Sequence, residues 1–232
     1  MGTFRTDHCW DDIIPSEERE IYSSFFPRDV KGLGPKPALL AIDLYKKVYA
    51  GGSGPVVEIN RKHRGACGDQ AWNAIAPTVK LFEAARRAGI PIIYTTGNPS
   101  AVSATNRQRS GEKVGDGYEI KEEFAPQPED LMIRKERASG FFGTPLFAHL
   151  KQRGIESLIL CGESTSGCLR ASVIDAFSYG FPVAVAEECC FDRSVLSHKV
   201  ALFDLHHKYA DVVHVEEITS ALDGLTGRAA AE

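Results

Sequence analysis

Four reactive side chains stand just after stretches of the chain that are predicted to be β-strands. Asp43 closes an apolar run, Lys135 follows Ile133, and Cys168 and Arg193 each follow a later apolar stretch. Because ligands bind beyond the carboxyl ends of the strands in open α/β sheets, we expect these four groups at one sheet edge. A thiol, a carboxylate and two cations there could attack, deprotonate and orient a small polar substrate.

Cys168 is the candidate nucleophile. The segment 161–168 (CGESTSGC) indicates a strand, a tight loop and the start of a helix. In the first turn of a helix a thiol meets the positive end of the helix dipole and unpaired backbone N–H groups, and both favour the thiolate, the reactive form. The same N–H groups could bind an oxyanion. The spacing alone is equally consistent with a packed, inert cysteine, since cysteines are often buried.

Each of the other three residues also has a non-catalytic interpretation. Asp43 could be a general base at the sheet edge or a carboxylate solvated in a loop. Lys135 lies in a charged run, 134–137, which is typical of a solvated cluster. Arg193 could bind a carboxylate through its planar fork, or it could pair with Asp192 or another nearby acid. Taken singly, these residues favour the non-catalytic interpretation.

Other common chemistries have weaker support. Gly162-x4-Gly167 is similar to the start of a phosphate loop, but Cys168-Leu169 stands where Lys-Ser/Thr should follow. No G-x-G-x-x-G follows the first predicted strand, so a dinucleotide site is not expected. None of the seven histidines has zinc-ligand spacing with a second ligand. We therefore expect neither a metal ion nor a cofactor.

The composition of the 232 residues is that of an ordinary globular protein, with 25% charged and 43% hydrophobic residues. A net charge of −4 argues against nucleic acid as a partner, and no apolar run approaches the roughly 20 residues that span a bilayer. The six cysteines form no C-x-x-C pair, and the acidic N-terminus shows no secretory signal. These features predict a cytoplasmic protein that acts on a small molecule.

Apolar stretches and helical periodicities alternate along the chain. Strands are predicted at 38–43, 91–96, 131–134, 156–161, 182–186 and 211–215. Helices are predicted at 16–24, 70–88, 144–153, 168–179, 197–209 and 216–222, with Thr144 as an N-cap. A long, irregular loop is expected at 97–130. The alternation predicts a three-layer α/β/α fold with a six-stranded parallel sheet and Rossmann-like topology.

Several segments together form a specific pattern. They are 38–43 (ALLAID), 133–142 (IRKERASGFF), 162–172 (GESTSGCLRAS), Asp192-Arg193, 202–205 (LFDL) and 208–213 (KYADVV). In these segments the chain resembles the isochorismatase-like cysteine hydrolases, and within them the branch of N-carbamoylsarcosine amidases and maleamate amidohydrolases. The likeness spans about residues 36–224.

The resemblance implies a set of catalytic residues. It assigns a triad to Cys168, Asp43 and Lys135, and it implies a non-proline cis peptide bond between Glu163 and Ser164. The backbone N–H groups of Ser164 and Cys168 would form the oxyanion hole. Members of the family form dimers or tetramers, so a homodimer or homotetramer is expected.

The resemblance also bears on substrate and metal. It implies that Arg193 holds a substrate carboxylate. Tyr45 and Phe142 are candidates for the pocket wall because they adjoin catalytic positions, although core or surface packing explains them equally well. The Asp-x-His zinc arrangement of the nicotinamidase branch is absent, since Tyr45 occupies its third position, so no metal is expected. True isochorismatases lack the nucleophilic cysteine, and Cys168 therefore argues against vinyl-ether hydrolysis.

These expectations divide the chain into an N-terminal extended arm (1–35), an isochorismatase-like hydrolase domain (36–226) and a C-terminal tail (227–232). The expected reaction is hydrolysis of a small, carboxylate-bearing linear amide or N-carbamoyl compound, with ammonia released through a cysteine thioester. Two alternatives stay open. One is hydrolysis of a neutral amide such as nicotinamide, and the other is a catalytically silent protein that binds a metabolite or a protein partner.

Overall fold

The apolar runs of the sequence form one parallel sheet. The computed structural model describes residues 4–25, 30–98 and 115–229, and within them the strands are β1 (Pro37–Ile42), β2 (Ile92–Gly97), β3 (Leu131–Lys135), β4 (Ser157–Glu163), β5 (Val183–Phe191) and β6 (Asp211–Val213). Every neighbouring pair is parallel, and the order is β3-β2-β1-β4-β5-β6. The predicted six-stranded parallel sheet with Rossmann-like order is confirmed.

Helices pack on both faces of this sheet. The α-helices of the described residues are α1 (Ser16–Phe25), α2 (Lys46–Tyr49), α3 (Val56–Lys62), α4 (Asp69–Asn73), α5 (Ile75–Arg87), α6 (Leu146–Gln152), α7 (Arg170–Ser178), α8 (Val195–Lys208) and α9 (Val215–Ala229). A 3-10 turn spans Glu122–Phe124, and a π-helical turn spans Thr165–Leu169. None of the helices described is long and apolar enough to cross a membrane.

Strand β1 shows why the central strands are apolar without alternation. Its side chains at 38, 40 and 42 belong to one buried cluster, whereas those at 39 and 41 belong to the cluster on the opposite face. A strand that is covered on both sides needs apolar residues at every position. The chain reverses its direction of winding between β1 and β4, which opens a crevice at their carboxyl ends, the usual place for a ligand in such sheets.

Several predicted boundaries differ from the observed ones. The helix predicted at 70–88 is broken into α4 and α5 because Pro77 lacks an N–H and crowds the carbonyl of Asn73, four residues earlier. Thr144 is not the N-cap of α6, since Pro145 occupies that position, although the Thr144 hydroxyl accepts a hydrogen bond from the N–H of Leu146 at 3.3 Å. Strand β5 continues five residues beyond its predicted end.

The N-terminal arm is attached to the domain by buried polar and aromatic contacts. Trp10 is buried in the same cluster as β4 and α7, and it stacks on His8. The carboxylate of Glu187 on β5 accepts from the Cys9 N–H at 2.6 Å and lies 2.6 Å from His8 Nδ1. Residues 26 and 27 of the arm, and residues 99–114 of the loop predicted at 97–130, lie outside the described residues.

His214 connects this arm to the sheet through both of its ring nitrogens. Nδ1 lies 2.5 Å from Glu188 Oε1, and Nε2 lies 2.7 Å from the backbone oxygen of Asp7. Both partners are acceptors, so the geometry requires a doubly protonated ring. Burial alone would lower the pKa of His214, but the hydrogen bonds to Glu188 and Asp7 raise it above its usual value.

The stability that His214 contributes should therefore depend on pH. A raised folded-state pKa gives stabilisation that is complete below the unfolded-state value of about 6.5 and is lost as the pH rises through the folded-state value. We expect His214→Gln to lower the free energy of unfolding by about 1.5–3 kcal/mol at pH 6, the range for a hydrogen bond to a charged group, and by less at pH 9. Urea unfolding at both pH values measures the difference, with His149→Gln on α6 as the control. An equal loss at pH 6 and pH 9 would contradict the assignment.

Candidate active site

The carboxyl ends of β1, β3 and β4 bring three of the predicted residues into contact. Lys135 Nζ lies 2.7 Å from Asp43 Oδ2 and 3.3 Å from Cys168 Sγ. Asp43 is 2% exposed and Lys135 is 3% exposed, so the charged pair is buried beside the thiol. The interpretation of Lys135 as a solvated surface charge is therefore wrong, and so is that of Asp43 as a solvated loop carboxylate.

Asp43 is held in place from two sides. Its backbone has a φ of 55°, a left-handed conformation that aspartate tolerates better than most residues. Thr95 on β2 donates its hydroxyl to Asp43 Oδ1 at 2.9 Å, while Oδ2 faces Lys135. Thr95 could not be singled out from the residue pattern, because Thr96 follows it in the same strand and both are buried.

The ammonium of Lys135 contacts three acceptors. Besides the carboxylate of Asp43 and the sulfur of Cys168, it donates to the backbone oxygen of Arg137 at 3.3 Å. Burial alone would lower the pKa of Lys135, but the negative charge of Asp43 raises it above its usual value. The side chain is therefore a fixed ammonium ion at neutral pH.

Cys168 lies in the π-helical turn Thr165–Leu169, immediately before α7. Leu169 N–H donates to the carbonyl oxygen of Ser164 at 3.1 Å, five residues back, and Gly167 N–H donates to the same oxygen at 2.9 Å. A Cβ at Gly167 would lie 2.4 Å from Ser164 Oγ, so a larger residue there would displace that hydroxyl. Turns of this kind are frequent at functional sites.

The helix start favours the thiolate of Cys168, but other effects outweigh it in the resting protein. Burial and the negative charge of Asp43 raise the pKa of Cys168 to about 12, although Lys135 lowers it. Desolvation disfavours the charged thiolate more than the helix terminus and the ammonium favour it. A base must therefore remove the proton, and Asp43 is the carboxylate in contact with the thiol.

The peptide bond between Glu163 and Ser164 is cis, as the resemblance implies. Gly162 precedes it with a φ of 113°, and a Cβ there would lie 2.0 Å from the carbonyl oxygen of Ile42. Glycine thus allows β4 to approach β1 closely at the crevice. The oxyanion role of the Ser164 and Cys168 N–H groups stays a prediction.

Asp192 ties the cysteine loop to the end of β5. Its Oδ2 accepts from the N–H and the hydroxyl of Ser166 at 2.9 and 2.7 Å, and its Oδ1 accepts from the Arg193 N–H at 2.7 Å. This positioning contact was not foreseen from the sequence. An acid followed by a base in a turn, as in Asp192 and Arg193, is only a weak sequence signal for a positioning contact.

Arg193 lies at the site, but its guanidinium already has partners. Nη1 lies 3.3 Å from Glu163 Oε2, and Nη2 donates to the backbone oxygen of Gly65. The pairing with a nearby acid that the sequence left open is therefore observed, although the acid is Glu163 rather than Asp192. The side chain of Arg193 keeps 35% of its surface exposed, and its role in holding a substrate carboxylate stays a prediction.

The two candidates for the pocket wall separate in the structure. The hydroxyl of Tyr45 lies 3.5 Å from Glu163 Oε1, and its ring packs edge-on against Tyr118, which places it at the site. Phe142 is 66% exposed and lines a surface cavity together with Ala171 and other residues of α7 and the segment 137–139. Phe142 is thus better explained as a surface residue than as a wall of the crevice.

One group of residues combines side chains that could hold a metal ion. Within the described part of the chain, His8, Glu187 and His214 place potential ligand atoms within 4.8 Å of one another. Both nitrogens of His214 already face acceptors, and His8 Nδ1 faces Glu187, so hydrogen bonds explain the group as it stands. The three residues lie far apart in the sequence, so the spacing of residues could not reveal this cluster.

The sheet is doubly wound, and at its switch point a half-buried thiol lies beside a buried carboxylate and a buried ammonium. This combination is that of an α/β enzyme. The family model of the isochorismatase domain matches residues 37–217, and the chain belongs to this family of hydrolases.

Curated relatives support the same placement. The chain is 31% identical over 207 residues to an N-carbamoylsarcosine amidase from Arthrobacter sp, which covers 84% of this chain and 74% of that enzyme. It is 42% identical over 106 residues to a maleamate amidohydrolase from Pseudomonas putida, which covers 46% of this chain and 50% of that enzyme. The second match thus spans half the length of the relative.

Solved structures show the same fold. An N-carbamoylsarcosine amidase from Thermoplasma acidophilum is similar with a TM-score of 0.65 and 27% identity, over 79% of this chain and 98% of that one. A cysteine hydrolase from Pseudomonas syringae pv. phaseolicola has a TM-score of 0.71 at 20% identity, over 85% of this chain and 97% of that one. The second likeness concerns the fold alone.

The electrostatics of the site predict opposite effects of two substitutions on the thiol. Asp43→Asn removes the negative charge that raises the pKa of Cys168, so the thiol should ionise at lower pH. Lys135→Met removes the cation that lowers this pKa, so the thiol should ionise at higher pH. Thiolate absorbance against pH, with Cys168→Ala as the blank, measures both shifts. Shifts of the same sign would contradict the arrangement.

Proposed function

We propose that the chain is an amidohydrolase that cleaves a small linear amide or N-carbamoyl compound through a thioester on Cys168. The observation that carries this proposal is the ammonium of Lys135 in contact with both the carboxylate of Asp43 and the sulfur of Cys168. The names of the two curated relatives, an N-carbamoylsarcosine amidase and a maleamate amidohydrolase, support a C–N bond as the target.

The proposed reaction begins with proton transfer. Asp43 takes the proton of Cys168 as the sulfur attacks the carbonyl or carbamoyl carbon, because the raised pKa of the thiol prevents earlier ionisation. The new thiolate character develops 3.3 Å from Lys135 Nζ, which stabilises it. Backbone N–H groups of Ser164 and Cys168 would stabilise the tetrahedral oxyanion.

The same carboxylate completes the cycle. Asp43, now protonated, gives its proton to the leaving nitrogen, and ammonia departs as the thioester forms. Asp43 then deprotonates a water molecule, which attacks the thioester carbon, and the proton returns to the sulfur as the acid is released. Lys135 holds the Asp43 carboxylate in a fixed position through both steps, and Thr95 holds its other oxygen.

Arg193 is the proposed contact for a substrate carboxylate. Its guanidinium is partly exposed, and its five N–H donors outnumber its contacts with Glu163 and Gly65, although an ionised Glu163 balances its charge. Maleamate and N-carbamoylsarcosine both carry a carboxylate, which supports this class of substrate. The existing pair with Glu163 favours a second candidate, a neutral amide, because the charge of Arg193 is already balanced.

The nucleophile assignment predicts a large loss of activity on substitution. Cys168→Ala and Cys168→Ser should each lower ammonia release by at least about a thousandfold, since removal of a nucleophile disables the covalent route. A panel of carboxylate-bearing and neutral amides and ureas is assayed for ammonia. Cys9→Ser, which alters a partly buried cysteine in the arm, is the control and should keep its activity. Retained turnover in both Cys168 variants would eliminate the covalent mechanism.

The carboxylate assignment predicts a selective change in KM. Arg193→Lys keeps a positive charge opposite Glu163 but loses the planar fork, so KM should rise about tenfold for carboxylate-bearing amides. Neutral amides should be affected less than twofold. Arg170→Lys, whose native guanidinium pairs with Asp204 at 3.1 Å, serves as the matched control. Equal effects on both substrate classes would remove Arg193 from substrate recognition.

A further inference from the structure

Glu163 is a buried carboxylate that the proposed mechanism does not use. It is the last residue of β4 and directly precedes the cis peptide bond and the cysteine loop. Among the described residues its hydrogen-bonding contacts are long, 3.3 Å to Arg193 Nη1 and 3.5 Å to the Tyr45 hydroxyl. Charge-assisted hydrogen bonds are usually 2.7–2.9 Å, so this buried carboxylate is only loosely paired.

Other carboxylates in the same chain show how well such a group can be satisfied. Glu187 on β5 has one oxygen 2.6 Å from His8 Nδ1 and the other 2.6 Å from the Cys9 N–H. Glu163 has no comparable contact among the described residues. Burial accordingly raises the pKa of Glu163 to about 7, although Arg193 opposes the shift.

The environment of Glu163 contains charges of both signs. The titratable and charged groups that act on it come from α2, β3, the cysteine loop and the segments that follow β1, α3 and β5. They are Asp43, Tyr45, Tyr49, Cys67, Lys135, Cys168, Asp192 and Arg193. Lys135 is in contact with Asp43, so Arg193 is the cation that balances an ionised Glu163.

We propose that Glu163 determines which substrates the site accepts, because it competes with the substrate carboxylate for Arg193. An anionic substrate then binds to the protein in which Glu163 carries a proton, whereas a neutral amide binds whether Glu163 is ionised or not. This inference rests on the proposed function and deepens it. Glu163 becomes the residue that sets the charge of the substrate, and Arg193 the residue that holds it.

The physical reason is the cost of an unbalanced charge in a buried site. With Glu163 ionised, a substrate carboxylate at Arg193 would place two carboxylates on one guanidinium, and one of them would lack a partner. With Glu163 protonated, the charge of Arg193 is free for the substrate. A ligand that prefers one form of a protein shifts the equilibrium towards that form, so binding should take up a proton.

The size of the effect follows from the fraction of protein in the competent form. With a pKa of about 7 for Glu163, roughly one molecule in ten is protonated at pH 8 and nearly all are at pH 6. The apparent Kd for an anionic substrate should therefore be about tenfold weaker at pH 8 than at pH 6. Burial lowers the pKa of His198, which reduces the contribution of that ring to any change between pH 6 and pH 8.

The test measures binding without turnover. Maleamate and N-carbamoylsarcosine are titrated calorimetrically into Cys168→Ala at pH 6, 7 and 8, in buffers of low and high ionisation enthalpy. We expect the tenfold weakening described above and the uptake of close to one proton per ligand at pH 8. The double variant Cys168→Ala, Glu163→Gln should show neither the pH dependence nor the proton uptake. At pH 8 it should bind the anionic ligands as tightly as Cys168→Ala binds them at pH 6. A neutral amide should show no pH dependence in either protein.

A matched control is available on β5. Glu188→Gln in the Cys168→Ala background removes a carboxylate that contacts His214 rather than Arg193, and it should leave the pH dependence in place. Thermal unfolding of every variant confirms that the protein is folded.

Three results would overturn the inference. The first is an affinity of Cys168→Ala that does not change between pH 6 and pH 8. The second is a Glu163→Gln protein that binds the anionic ligands no more tightly at pH 8. The third is the absence of binding by either ligand to both proteins, which would also end the carboxylate assignment. Ammonia release from neutral amides by the unmodified protein would still decide whether the cysteine mechanism holds.

Discussion

The site depends on the buried ammonium of Lys135. A charge in the interior requires a partner, and here the carboxylate of Asp43 and the sulfur of Cys168 share it within 2.7 and 3.3 Å. The three residues come from the ends of three strands, so their contact exists only when the sheet has its observed order. Thr95 on β2, which lies between β1 and β3, fills the gap between them with a hydroxyl that also binds Asp43.

The same arrangement explains when the nucleophile can form. A thiol with a pKa near 12 is almost wholly neutral at pH 7, and a neutral thiol reacts poorly with electrophiles and oxidants. In the mechanism proposed above, this proton passes to Asp43 as the sulfur forms its bond to the substrate carbon. In the proposed mechanism the ammonium then stabilises both the thiolate character and the restored carboxylate, so one cation serves every charge that the reaction creates on the protein.

Much of the fold follows from residue patterns. The apolar run before Asp43 and the alternation of strands and helices define a parallel sheet, and the ends of its strands predict which side chains meet. Residue patterns alone do not show which side chains meet across the sheet. The break before α5 is a local effect of Pro77 and could have been predicted, whereas the contact of Thr95 with Asp43 depends on the register of two strands. Nor could spacing show that burial would outweigh the helix terminus at Cys168, because desolvation is a property of the assembled core.

Glu163 shows where sequence reasoning reaches its limit. Arg193 was expected either to bind a substrate carboxylate or to pair with a neighbouring acid. In the structure the acid is Glu163, and it lies in the site itself, so both expectations concern the same guanidinium. Among the described residues, Lys135 and Arg193 each face a carboxylate in this crevice. A substrate carboxylate would be a third, and it would require either the protonation of one carboxylate or the loss of an existing ion pair. Under the proposed function, the charge of the substrate is therefore decided by the looser of the two pairs, and that pair is Glu163 with Arg193.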